Sequence, residues 1–242
     1  MILFKYQVRV ISLSDMLNRL YNPDGSNLNV MLWGQAGSGK SVFIEQTLKS
    51  FLRIHKSEYL RVVIISPKNE GFEFGNIVND LNQLSKSISK ERVSVLYPEM
   101  TNLDETVDEA INMCFDYQAQ EPKTHFVFIL DDSQVFLSSR KAASDAHKRL
   151  ALTGRSRHIK GIYVAHNIVF ARELEGQVDL LCGFSNPNPI YYRSSIERFN
   201  FDPEPFAESL RERPFSFVWF DTRESGPKLM NPIKLPKSSK AS

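Results

Sequence analysis

No stretch of this 242-residue chain stays apolar for the ~20 residues that would span a bilayer. The apolar start Met1-Ile2-Leu3-Phe4 is broken at once by Lys5, so no signal-peptide core is expected. Cysteine is scarce. Cys114 and Cys182 stand far apart and match no metal-binding or redox spacing, so both are expected to be buried thiols of an intracellular protein. Charge of one sign is lacking too: 30 Lys and Arg oppose 28 Asp and Glu, a formal net charge of +2. That balance says little by itself and moves attention to how the charge is distributed. There is no internal repeat. What remains is 42% hydrophobic and 24% charged, ordinary for a globular protein, with enough length for one α/β domain and a small appendage.

Against that plain background one string stands out. Gly34-Gln35-Ala36-Gly37-Ser38-Gly39-Lys40-Ser41 satisfies G-x-x-x-x-G-K-[ST] at every fixed position. The apolar run Leu28–Trp33 leads in as a strand, and Val42 to Leu48 leads out as the start of a helix. Strand, loop and helix in that order read as a phosphate-binding loop, with residues 34–42 around a nucleotide such as ATP. Glycines let the backbone curl so that N–H groups face a phosphate chain, and the helix N-terminus adds partial positive charge. Lys40 is expected to reach the β- and γ-phosphates, and the Ser41 hydroxyl to ligate Mg²⁺.

Strands and helices alternate along the chain. Tyr6–Ile11 alternates as a strand, Ser14–Leu20 reads as a short capped helix, and Asn22–Ser26 is turn chemistry. Arg61–Ile65 is a buried strand ending at Ser66-Pro67, and Ile77, Leu81, Leu84 and Ile88 fall at helical spacing. Val93–Tyr97 is a further strand. Thr101 is expected to cap a helix with Asp104 and Glu105 in its first turn. Phe126–Leu130, Gly161–Ala165 and Leu180–Phe184 are buried strands, with a helix expected over about 139–154. This pattern predicts a mostly parallel central sheet flanked by helices, occupying residues 1–185. Asn186-Pro187-Asn188-Pro189 breaks it. In the remainder, 186–242, Phe215–Phe220 reads as a strand, Asp221–Gly226 as a turn and Lys228 onward as a returning strand. Lys234–Ser242 is basic, polar and expected to fray.

The run 126–130 ends in Asp131-Asp132. An acid at the C-terminal edge of a central strand is the expected partner of a phosphate loop. Asp131 can hold Mg²⁺, and Asp132 can orient or deprotonate the attacking water. A second acid favours hydrolysis over switching. There is no Asn-Lys-x-Asp element to read guanine, and no arginine-rich lid of the nucleoside-kinase kind near the loop.

Between Ser138 and Lys160 lie seven basic residues, Arg140, Lys141, Lys148, Arg149, Arg155, Arg157 and Lys160, against the single acid Asp145. Part of this reads as i,i+4 pairing of Lys141 and Arg149 with Asp145 on a solvated helix face. Arg155 and Arg157, just ahead of a buried strand, can reach a neighbouring subunit's γ-phosphate, contact nucleic-acid phosphates, or be plain surface charge. The strand that follows ends in His166-Asn167. Either side chain can sense the γ-phosphate or hold the attacking water beside Asp131.

Taken in order, Gly34–Ser41, Phe126–Asp132, Gly154–His158 and the strand ending His166-Asn167 resemble the FtsK–HerA superfamily of pumping ATPases. Within it they resemble the poxvirus-type branch that packages genomes of membrane-containing icosahedral viruses, over roughly residues 28–184. The resemblance implies a RecA-like P-loop core, a homo-oligomeric ring that can be monomeric in isolation, and ATP-driven movement of double-stranded DNA into a preformed capsid. It also implies residence in host cytoplasm or virion. The part from about Asn186 lies outside the resemblance and is expected either to dock to capsid or membrane proteins at the packaging vertex or to complete the ring interface. The chain departs from the family in carrying Asp131-Asp132 for Asp-Glu, and His166 or Asn167 for Gln. Two other readings stand beside it: a filamentous-phage-type assembly ATPase, against which the lack of a transmembrane segment counts, and a non-motor ATP-binding regulatory protein.

Overall fold

Eight strands form one sheet in the order β3-β2-β4-β5-β1-β6-β7-β8. They are β1 (Val30–Trp33), β2 (Leu60–Ile65), β3 (Val93–Leu96), β4 (His125–Leu130), β5 (Ile159–Ala165), β6 (Leu180–Phe184), β7 (Phe217–Asp221) and β8 (Lys228–Met230). The structure is a computed structural model. It describes residues 29–54, 60–67, 93–96, 101–135, 143–166, 176–184, 210, 216–222 and 228–230. Expectations for 6–11, 14–20, the helix near 77–88, Tyr97, Asn167 and 234–242 lie outside the described residues.

β1 to β6 run parallel, and β7 and β8 continue the sheet antiparallel beside β6. β1, β2, β4, β5 and β6 are buried on both faces, which is why they read as largely apolar runs rather than alternating ones. Alternate residues nonetheless serve different layers. Met31, Trp33, Phe126, Phe128, Leu130 and Tyr163 face α2 (Leu103–Gln120) and α3 (Asp145–Thr153) in one core. On the other face α1 (Lys40–Ile54) sets Phe43 edge-on to Phe184 and Phe217, at ring-centroid distances of 5.9 and 5.1 Å. Helices therefore cover both faces, as the alternating pattern predicts.

Three local expectations are corrected. The helix expected to start near 139 starts at Asp145, because Ser144 takes extended geometry and its hydroxyl accepts from the His147 N–H as an N-cap. Arg149 does not pair with Asp145; its guanidinium lies 4.1 Å over the Phe115 ring and donates to Asn112, while Lys148 takes Asp145 at 3.6 Å. The cap of α2 is Asn102 rather than Thr101, and its side chain makes no capping bond. Cys114 and Cys182 are buried free thiols; burial pushes Cys114 up to about 12 and Cys182 higher still, so both are unreactive at neutral pH.

Candidate nucleotide site

The C-terminal edge of the parallel strands gathers the chemistry. At the end of β1 the chain turns through Gly34, whose N–H donates to the Ala165 carbonyl at the end of β5. Gly37 and Gly39 have φ of 73° and 105°, conformations that side chains other than glycine rarely take. Gly34 is required for a different reason. A Cβ there would lie 2.7 Å from Phe184 Cβ and 2.9 Å from Ser38 Oγ. Loop and strand β6 are in direct contact.

Gln35, Ala36 and Gly37 form the exposed tip, while Ser38, Gly39 and Lys40 are buried. Lys40 opens α1, and its ammonium donates to the carbonyls of Gly34 at 2.7 Å and Gln35 at 2.9 Å. Those bonds tie the charge to the start of the loop. Ser41 and Val42, half-buried, follow in the first turn of α1.

β4 carries the acids to the same edge. Asp131, 4% exposed, is fixed by the end of β2 and the residue after it: its N–H donates to the Ile65 carbonyl, and its carboxylate accepts from Ser66 Oγ at 3.1 Å. Asp132 sits at φ 48°, in the left-handed region. It is followed by a 3-10 turn, Ser133–Val135, closed by Val135 N–H to the Asp132 carbonyl. β5 lies between β1 and β4, and His166 follows its last residue. His166 Nε2 is 3.2 Å from Asp132 Oδ1. Of the two polar candidates at this strand end, His166 meets the acid; Asn167 lies outside the described residues.

Two residues here escaped the sequence reading. Ser66 orients Asp131. Gln134 donates from Nε2 to Asp132 Oδ1 at 3.3 Å and accepts at Oε1 from the His166 N–H at 3.1 Å. Neither has a local signature. Ser66 ends a strand and Gln134 follows the acids, and only the sheet order brings them to their partners.

Arg155 and Arg157 are not brought to this site. They form a 3-10 turn ahead of β5, at the N-terminal edge of the sheet. Arg155 makes an ion pair with Asp179, which also accepts the Asn29 N–H at 2.9 Å. Asn29 is saturated in turn, donating to the Ala151 and Gln177 carbonyls and accepting the Gly161 N–H. Arg157 is exposed, and its guanidinium meets no hydrogen-bond or ion-pair partner among the described residues. Nearby, the His125 and His158 ring centroids lie 4.6 Å apart, with the ring planes tilted by 34°.

The donor set suits a hard cation. The Ser41 hydroxyl and the Asp131 carboxylate are oxygen donors, matching the few protein ligands Mg²⁺ takes beside nucleotide phosphates. Among the described residues no cluster of three or more His, Cys, Asp or Glu could hold a metal ion without such help. No described helix is long and apolar enough to cross a membrane.

No family model matches the chain, and no curated protein matches it by sequence. Solved structures do match. B204, the DNA-packaging ATPase from Sulfolobus turreted icosahedral virus, superposes with a TM-score of 0.69 at 20% identity, covering 87% of this chain and 100% of that one. B204 from Sulfolobus turreted icosahedral virus 2, in complex with ATP-gammaS, gives 0.66 at 18% identity over 86% of this chain and 99% of that one. VirB4 of Thermoanaerobacter pseudethanolicus gives 0.59 at 7% identity, over 86% and 90%. At these identities the likeness establishes architecture: the chain has a RecA-like P-loop NTPase fold carrying two extra antiparallel strands.

Proposed function

We propose that this chain is an ATP-hydrolysing motor of the FtsK–HerA kind that translocates double-stranded DNA, packaging a viral genome into a preformed capsid. The observation that carries the reading is the meeting at one sheet edge of the phosphate loop, the pair Asp131-Asp132 and the end of an inserted strand, β5, with His166 against Asp132. The B204 structures, solved on the same architecture and described as packaging NTPases, support the choice of DNA as the moved object.

Placement supports the following roles. The loop 34–42 cradles the phosphates, and Lys40 exchanges its carbonyl partners for β- and γ-phosphate oxygens. Ser41 and Asp131 hold Mg²⁺, which when bound neutralises charge on the phosphates. Asp132 orients and deprotonates the attacking water, and His166 beside it reports whether the γ-phosphate is present. Arg157 completes the charge balance from a neighbouring copy in a homo-oligomeric ring; Arg155 is engaged by Asp179 and serves to hold the turn that presents Arg157. Capsid or membrane proteins at a packaging vertex complete the partner set, in host cytoplasm or virion.

ATP hydrolysis measured with and without linear double-stranded DNA tests this, with Lys40→Ala as the blank. Turnover stimulated by DNA and abolished in Lys40→Ala is expected. Hydrolysis indifferent to DNA would sink the translocase, and full activity in Lys40→Ala would sink the site.

A further inference from the structure

Gln134 makes two hydrogen bonds in opposite senses to two elements that are far apart in sequence. Nε2 donates to Asp132 Oδ1 at 3.3 Å, and Oε1 accepts from the backbone N–H of His166 at 3.1 Å. His166 Nε2 closes the circuit on the same Asp132 oxygen at 3.2 Å. The partners fix which way the amide points. Reversed, it would set NH₂ against an N–H and a carbonyl oxygen against a carboxylate. One side chain thus reads both the acid at the end of β4 and the backbone at the end of β5.

Asp132 needs such a restraint. Its φ of 48° lies in the left-handed region, which aspartate tolerates but does not prefer. The Val135 N–H to Asp132 carbonyl bond, 2.9 Å, closes the turn on the backbone side only. The carboxylate is held by the side chains. Gln134 itself is half-buried and lies outside the hydrophobic core, so its truncation opens no cavity there.

We infer that Gln134 is a positioning residue for hydrolysis: it locks the carboxylate of Asp132 to the end of β5, so that the acid and His166 move as one unit. The inference rests on the ATPase reading above, in which Asp132 handles the water. It adds that the γ-phosphate signal at the end of β5 and the aim of Asp132 are mechanically the same event. A shift of the His166 backbone pulls on Gln134 Oε1, and Gln134 Nε2 carries the shift to the carboxylate.

Two variants separate the bonds. Gln134→Met keeps side-chain length and removes both. Gln134→Glu keeps an acceptor for the His166 N–H but replaces the donor with a second carboxylate facing Asp132. The readouts are kcat and KM for ATP, the thermal midpoint, and hydrogen exchange of the His166 amide by NMR in the full chain without nucleotide. Gln134→Met is expected to lower kcat about tenfold or more with KM and thermal midpoint unchanged, and to speed His166 exchange about tenfold. Gln134→Glu is expected to keep the amide protected yet lose turnover. A merely structural role would instead raise KM and lower the midpoint together. Full turnover in Gln134→Met, or His166 exchange that does not change, would overturn the inference. A wild-type chain with no hydrolysis would defeat the ATPase reading, and the exchange measurement would then decide the clamp by itself.

Discussion

Asp179 is the residue whose removal separates the two arginines. Its side chain is 8% exposed, and it accepts the buried Asn29 N–H at 2.9 Å on one oxygen and Arg155 on the other. In Asp179→Ala the Asn29 N–H loses its acceptor, an orphan worth about 1–3 kcal/mol in a buried setting. Arg155 is 45% exposed and rehydrates, so loss of the ion pair adds only about 0–1 kcal/mol. The expected cost is about 3 kcal/mol, equivalent to roughly 6–12 °C in thermal midpoint for a chain of this size. Arg155→Ala leaves the Asn29 bond intact and is expected to cost about 1 kcal/mol. Arg157→Ala removes no hydrogen bond or ion pair among the described residues and is expected to stay within about 0.5 kcal/mol of wild type. Urea unfolding of the three variants, compared at midpoint with slope unchanged, measures the ranking. An Asp179→Ala midpoint equal to wild type would refute the accounting at the Asn29 N–H. An Arg157→Ala as damaging as Arg155→Ala would show that Arg157 is part of the fold, and remove it as the arginine available to a neighbour.

Gly34→Ala is expected to weaken ATP binding and cost about 1–3 kcal/mol, because its Cβ would press on Phe184 Cβ at 2.7 Å; a nucleotide titration and a thermal scan that both match wild type would contradict the loop–strand contact. Burial lowers Lys160 from 10.5 to about 7, so between those values the unfolded chain holds a proton that the folded chain does not. Stability from this group therefore rises with pH above about 7, and Lys160→Met is expected to be more stable at pH 8 and to show less of that rise in urea unfolding from pH 7 to pH 9. In mixed assemblies, Arg157→Ala combined with a Lys40→Ala chain is expected to recover part of the turnover lost by each; no recovery at any ratio, with mixing demonstrated, would count against a role across subunits.

The parts of this fold that were legible in sequence are those whose cause is local. Buried parallel strands must be apolar on both faces, so β2, β4, β5 and β6 announce themselves as runs. The phosphate loop is legible because one short backbone shape dictates its glycines. Helix starts were less so. Ala142 and Ala143 extend the apolar pattern upstream of α3, and only the geometry of Ser144 shows where the helix begins. Arg149 looked like half of a helical ion pair because Phe115, its actual partner, lies on α2, on another element altogether. Ser66, Gln134, Asn29 and Asp179 were silent for the same reason. Each does its work across a sheet whose order cannot be read from one sequence.

That sheet order has a further consequence for the arginines. Arg157 precedes β5 and His166 follows it, so the seven residues of the strand separate them. At a rise of about 3.3 Å per residue that is roughly 20 Å, far beyond the span of an arginine side chain. Within one chain the basic turn and the acidic pair therefore sit at opposite edges and cannot serve one phosphate. For Arg157 to balance the charge that develops at Lys40 and Asp132, it must therefore come from another copy. Such a contact joins two different surfaces, and head-to-tail contacts of this kind close into rings when the rotation between copies allows. Asp179 and Asn29 then acquire a purpose that packing alone does not give them. They anchor, through Arg155, the turn that would carry Arg157 into the next subunit, and they do so from the positions just ahead of β1, which leads into the phosphate loop, and β6, which packs against it.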